Sequence, residues 1–338
     1  MKIFITGGTG LLGGHLLWHL LQKGDNELFA LCRKNSNLSL LHYIFCFYTE
    51  KEDDYLSRIH WVEGNILDEA SLDSALENMD CVYHCAADVI IGNSAADNLT
   101  QTNVQGTKNI LAAALKNRVR KLCYVSSVAG IGGGDGGEFV NEDSFWDEQK
   151  IHTLYAQSKF LAEKEVRLAS EKGLETIIVN PGVILGASNK KEGSSLLIDF
   201  GRKGMPFYTN GGSGYVDVRD VCRAMIYLME SDIKNERFVL VGENVSNRTM
   251  LNYFAAGFGK PKPFINANKW LLYPIATVVE FVCKLLRIRT NFDRCSVRII
   301  ENRTYYSSDK IKQRLGFTFT SIEQCTKDIC SYIQRTES

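Results

Sequence analysis

What this chain lacks narrows its function before any motif is read. It has no net charge: 39 Lys and Arg offset 39 Asp and Glu. Overall charge therefore gives no reason to expect nucleic acid or an anionic membrane as a partner, and a small molecule is the easier expectation. It has no cysteine framework, because its ten cysteines are scattered and several lie in apolar, strand-like runs. Reduced thiols in a cytoplasmic protein are expected instead. Of the close pairs, neither Cys81 with Cys85 nor Cys325 with Cys330 has the neighbouring His or Cys that would complete a ligand set, so no metal is expected. No uninterrupted apolar run reaches the ~18 residues needed to cross a bilayer. Met1 leads directly into an apolar strand, so no signal peptide is expected. There is no internal repeat, and the GIGGGDGG run at 130–137 reads as a mobile loop rather than a linker. The length of 338 residues suits one large domain, or a main domain with a smaller lobe.

What is present is organised around residues 3–14, IFITGGTGLLGG. The short β-branched run Ile3, Phe4, Ile5 suits a central parallel strand. Gly7, Gly10 and Gly13 recur every third residue, and the apolar helical pattern HLLWHLLQKG follows them. Such a strand, glycine turn and helix lets backbone approach a pyrophosphate and aims free N–H groups at its charge. A bare GxGxxG is weak evidence, but this context supports it. Thr6, Gly7, Gly10, Leu11, Leu12 and Gly13 are the positions expected against a dinucleotide.

Strand and helix patterns alternate onward, which predicts an α/β fold of the Rossmann type, a doubly wound parallel sheet. The expected strands after the first are 27–34, 59–66, 81–87, 121–127, 175–182 and 237–243. Helices are expected at 15–22, 68–78, 102–117, 154–172 and in DVCRAMIYLME. The second strand ends LCRK, where an acid would bind a ribose 2′-hydroxyl and a base would neutralise a 2′-phosphate. Arg33 offers a planar pair of donors and Lys34 a point charge, so NADP(H) is expected, with NAD(H) as the alternative. The plainer reading is a solvated basic strand end. Residues 35–57, with the cluster HYIFCFY, read as an inserted packing patch without function. Asn65 and Ile66 after the third strand, and Ala86 and Ala87 after the fourth, suit the flanks of an adenine and its ribose. Asn103 either supports the site from below or merely caps and bridges its helix.

Tyr155 and Lys159 in YAQSK stand at i and i+4, on one helix face. A phenol of reference pKa about 10 moves protons poorly at neutral pH unless a cation stabilises its anion. Lys159 is placed to be that cation and to reach cofactor hydroxyls. A Tyr-xxx-Lys pair alone is common on helix surfaces. It gains weight from Ser126 and Ser127, which close the fifth strand at the carboxyl end where ligands bind in this architecture.

In this order and spacing, GGTGLLG, YVSS, YAQSK and NPG resemble the extended short-chain dehydrogenase/reductase superfamily, the epimerase/dehydratase superfamily. The VDVRDVCRAM and YYSSDKIKQRLGF segments extend the similarity to nearly the whole chain. The LCRK end, SSVAG and NEDSFWDE are most similar to the dihydroflavonol reductase and 3β-hydroxysteroid dehydrogenase-like branch. The resemblance implies Ser127 as catalytic serine, with Ser126 next, Tyr155 as acid/base and Lys159 as its partner. It also places Pro181, Gly182 and Val183 against the nicotinamide. Sugar-nucleotide dehydratases of the superfamily carry an Asp-Glu pair where this chain has Val128 and Ala129, and their second strand usually ends in Asp. Together these features predict an NADP(H)-dependent oxidoreductase acting on a carbonyl or secondary alcohol of a small molecule. The rivals are an epimerase or dehydratase that uses tightly bound NAD(P) without net redox, and a non-catalytic nucleotide-binding redox sensor.

Residues 1–183 with 216–243 are expected to form the dinucleotide-binding domain, and 184–215 with 244–338 a smaller C-terminal substrate lobe. Within the lobe, 187–214 reads as a flexible flap. The apolar stretch KWLLYPIATVVEFVCKLLRIR, 269–289, is interrupted by Pro274, Glu280 and Lys284. A helix packed over the substrate pocket is the preferred reading, and a peripheral membrane anchor is the rival. They differ in whether its apolar face is buried in the monomer. The apolar faces of 102–117 and 154–172 suggest a homodimer.

Overall fold

A computed structural model describes residues 1–24, 26–89, 99–133, 139–150, 152–189, 193–286 and 293–337. Seven strands form one parallel sheet: β1 Lys2–Thr6, β2 Glu27–Cys32, β3 Ile59–Glu63, β4 Cys81–His84, β5 Lys121–Val125, β6 Glu175–Pro181 and, after three short strands outside this sheet, β10 Glu236–Leu240. Their order is β10-β6-β5-β4-β1-β2-β3. The order reverses between β1 and β4, so a crevice opens beyond the carboxyl ends of those two strands, where ligands bind in open α/β sheets.

Both faces of this sheet are buried, as the near-continuous apolar strands require. Alternation along β1 divides the core: Ile3 and Ile5 pack on one side with Leu16, Leu17, Phe45 and Met225, and Phe4 packs on the other with Leu72, Ile110 and Val166. Helices α1 Leu11–Leu21, α2 Ser39–Tyr48 and α8 Val218–Glu230 cover the first side. The other is covered by α4 Glu69–Ala75, α5 Gly106–Lys116 and α6 Leu154–Glu171. Side-chain caps from Asp68, Thr153 and Asp217 start α4, α6 and α8. The aromatic insertion is a packing patch, as expected: Tyr48 of α2 stacks on Trp18 at 4.8 Å, and Tyr55 of the short helix α3 Glu52–Leu56 packs on the same indole.

The strand expected at 237–243 ends at Leu240. After Gly242 the chain enters β11 Glu243–Ser246, which joins β9 Gly212–Asp217 and β7 Val183–Leu185 in a second, three-stranded sheet. Much of the stretch read as a flap is regular structure: α7 Ser195–Lys203 buries Ile198 and packs on α9 Asn247–Gly257, and β8 Phe207–Tyr208 pairs with β12 Ile265–Asn266. Residues 190–192 of that stretch lie outside the described residues, as do 134–138 of the glycine-rich run.

Helix α10, Lys269–Leu286, corrects the preferred reading of its apolar segment. Of its described side chains Ala276 is fully buried, and the helix packs on α11 Arg294–Glu301 rather than over the sheet. Most of its described large apolar side chains point to solvent. Two helices complete the chain, α12 Asp309–Leu315 and α13 Ile322–Glu337.

Candidate active site

The glycine turn is shaped by contacts that a side chain would break. Gly7 has φ +72°, and a Cβ on it would lie 2.7 Å from the Ala86 amide nitrogen. A Cβ on Gly13 would lie 2.2 Å from the Gly7 carbonyl oxygen. The turn is closed by the Gly10 N–H donating to Gly7 at 2.9 Å, and α1 starts at Leu11 without a side-chain cap. The first-turn amides of Leu11, Leu12 and Gly13 thus point into the crevice end of the sheet, free for an anion. On this evidence the turn fits a dinucleotide pyrophosphate.

Thr6 does something sequence reasoning had not assigned. Its fully buried hydroxyl accepts from the Ala86 N–H at 3.2 Å and meets His84 Nδ1 at 2.7 Å. The other ring nitrogen of His84 meets Thr107 Oγ1 at 3.0 Å, and that hydroxyl donates to the Asn103 carbonyl at 2.6 Å. Thr107 must then accept from Nε2–H, which leaves Nδ1 to accept from Thr6. Burial, with Lys159 nearby, holds this imidazole neutral by lowering its pKa to about 3.

This chain of bonds reaches the helix that carries Tyr155 and Lys159. Asn103 sits in a π turn, Gln101–Gln105, ahead of α5. Its side chain bonds both backbone groups of Asp88 and donates to Ser158 Oγ at 2.9 Å, and Ser158 donates to the Tyr155 carbonyl at 2.8 Å. Asn103 therefore bridges the loop after β4 to α6, which joins the two readings left open for it.

Ser127 and Tyr155 come together. Ser127 lies near enough to pull the phenol's pKa down, but burial outweighs it and leaves the pKa above its ordinary value of 10. The neighbouring Ser126 is buried in the core without a hydrogen-bond partner for its hydroxyl, which separates the two adjacent serines. Lys159 is 2 % exposed, donates to the Val125 carbonyl at 2.9 Å and lies over the Tyr124 ring. Burial lowers its pKa to about 8, partly offset by Glu163 and Cys85. Lys159 is turned to Val125, so burial and Ser127 are the influences on the phenol's pKa in this arrangement.

Behind these residues lies a buried network that the sequence reading missed. Asn180 donates to the Ser127 carbonyl at 2.8 Å and to Glu163 Oε1 at 2.6 Å, and Arg237 pairs with Glu163 at 3.3 Å. A signal existed: Glu163 is one turn beyond Lys159 on the same helix face, and Asn180 opens the NPG motif.

The remaining predicted positions line the same end of the sheet. Arg33 and Lys34 are exposed in the turn after β2, where the Ser36 N–H bonds the Arg33 carbonyl at 2.8 Å. Asn65 accepts from the Leu67 N–H at 3.0 Å, and the Ile66 carbonyl accepts from Asn109 at 3.0 Å. Ala86 and Ala87 follow β4, half-buried. Pro181 ends β6 and Val183 begins β7 in the second sheet, with Gly182 pressed against the Gly214 backbone.

Comparison with known proteins bears on this site. The NAD-binding family described as Male sterility protein matches residues 5–220. A "Putative dihydroflavonol 4-reductase" of Synechocystis is 30% identical, covering 98% of this chain and 94% of that protein. "Sterol demethylase protein B" of Methylococcus capsulatus is 26% identical over 99% of this chain and 98% of its own. The crystal structure of gox2253 superposes with TM-score 0.82 at 27% identity, covering 99% of this chain and 98% of that one.

Proposed function

The chain belongs to the extended short-chain dehydrogenase/reductase superfamily and is an NAD(P)-dependent enzyme of that type; from that premise we propose that it is an NADP(H)-dependent oxidoreductase acting on a carbonyl or secondary alcohol of a small molecule. The observation that carries the reading is the closeness of Ser127 to the Tyr155 phenol at the carboxyl end of β5, with Lys159 buried one turn further along α6.

In this reading the first-turn amides of α1 would hold the pyrophosphate, Arg33 and Lys34 a 2′-phosphate, and Asn65, Ile66, Ala86 and Ala87 the adenosine side. Pro181 and Val183 would flank the nicotinamide. When bound, the cofactor supplies or accepts the hydride. Ser127 would orient the substrate oxygen, Tyr155 would give or take its proton, and Lys159, released from the Val125 carbonyl, would hold the cofactor ribose and stabilise the phenolate as it forms. Packing half-buries Tyr155. Residues 1–183 with 216–243 serve as the nucleotide domain, and 184–215 with 244–338 as the substrate lobe. A cytoplasmic setting suits the free cysteines among the described residues. Leu161 and Leu168, exposed two turns apart on α6, support a homodimer through that helix.

The test is to follow cofactor absorbance with the purified protein, NADPH or NADH, and a panel of aldehydes and ketones. Net oxidation of NADPH, faster at low concentration than that of NADH, is expected. Bound cofactor that turns over with no net oxidation would identify an epimerase, and no turnover with any carbonyl would favour the redox sensor.

A further inference from the structure

Helix α10 presents to solvent the face a helix ordinarily hides. Trp270, Val278 and Phe281 are 80%, 62% and 68% exposed, with Leu271, Ile275 and Leu286 beside them. At 3.6 residues per turn these six fall on one side of the helix. Beyond Lys269, every exposed side chain described on it is uncharged, and Glu280 is drawn aside into an ion pair with Arg294 at 3.0 Å. The apolar surface continues just ahead of the helix, where Phe264 is 71% exposed beside the β8–β12 pair.

The charge around this face is far from neutral. Residues 260–303 hold nine Lys and Arg against three Asp and Glu, in a chain whose totals balance. Lys260, Lys262, Lys269, Arg294 and Arg298 are exposed. A two-fold pairing of this face with a second copy would bring two basic rims together, which like-charge repulsion opposes. A bilayer surface rich in anionic lipid accepts both the apolar stripe and the basic rim. Trp270 and Tyr273, near one end of the helix, are the residue types that settle at headgroup level. Among the described residues no helix is long and apolar enough to cross a membrane, so the geometry is one of lying in the surface.

We propose that α10 seats this protein on an anionic membrane surface, in the plane of the headgroups. The proposal does not depend on the reaction assigned above. The full chain is sedimented with vesicles of phosphatidylcholine alone or mixed with phosphatidylserine, and Trp emission is recorded. Binding to the mixed vesicles is expected, at least about ten-fold weaker on phosphatidylcholine alone or in high salt, with a blue shift that Trp270→Phe removes. A Val278→Glu, Phe281→Glu variant is expected to lose about ten-fold or more of the binding while melting at the wild-type temperature. The proposal is overturned if wild type ignores anionic vesicles at low salt, or if the double variant binds them equally. It is also overturned if wild type is a dimer that the double variant dissociates, since a second copy would then cover the face.

Discussion

Helices α6 and α10 are each 18 residues long, and each departs from the usual burial pattern in the opposite direction. The first draws Ser158, Lys159 and Glu163 into the interior, where each finds a partner. The second turns a stripe of large apolar side chains outward, with no charge among the described residues of that stripe. Burying an ammonium and a carboxylate is costly unless they are paired, and on α6 Lys159 is held by the Val125 carbonyl and Glu163 by Asn180 and Arg237. Exposing apolar surface is costly unless something other than water covers it, so α10 is complete only against a partner surface. In both helices the residues that defy the solvent rule include those for which a function is proposed.

The largest expected effect falls on the polar interior. Lys159→Ala should reduce kcat/KM by more than about a hundred-fold and weaken cofactor binding as well, because one ammonium serves both. Loss of turnover with unchanged cofactor affinity would confine Lys159 to the proton step. Glu163→Ala should destabilise the fold by about 3 kcal/mol, since it leaves Asn180 and the largely buried Arg237 without their carboxylate. A melting temperature equal to wild type would show that the network does not hold α6.

Acid should act on the interior beside α6 and not on α10, which contains no histidine. His84 takes up a proton near pH 6.5 when unfolded but only near 3 when folded. Its contribution is therefore present above pH 6.5 and lost as pH falls from 6.5 towards 3, at up to ~1.4 kcal/mol per pH unit. Melting followed from pH 7 to 5 should fall less steeply in His84→Gln than in wild type, and equal slopes would contradict the assignment. The smallest effect is expected on α10: Val278→Glu alone should change stability by no more than about 0.5 kcal/mol. A larger loss would mean that the stripe is packed against the protein after all.

The two helices also differ in how far the sequence disclosed them. The strand positions, the glycine turn and the spacing of Tyr155 and Lys159 one helical turn apart follow from local sequence, and the structure brings Ser127 near the phenol. Local spacing could not show that Glu163 meets Asn180 from β6 or that His84 ties Thr6 to Thr107, because these are contacts between strands and helices distant in sequence. For α10, hydropathy predicted an apolar helix and its interruptions. Which way that face points depends on tertiary packing, and the reading based on core formation chose burial where the structure has exposure.

The central claim is that Tyr155 moves the substrate proton in a net redox reaction. Tyr155→Phe keeps the ring and its packing and deletes only the hydroxyl. Single-turnover oxidation of NADPH with a carbonyl substrate of the wild-type enzyme should fall by at least about a hundred-fold, with NADPH affinity unchanged. Oxidation at the wild-type rate by Tyr155→Phe would contradict the account.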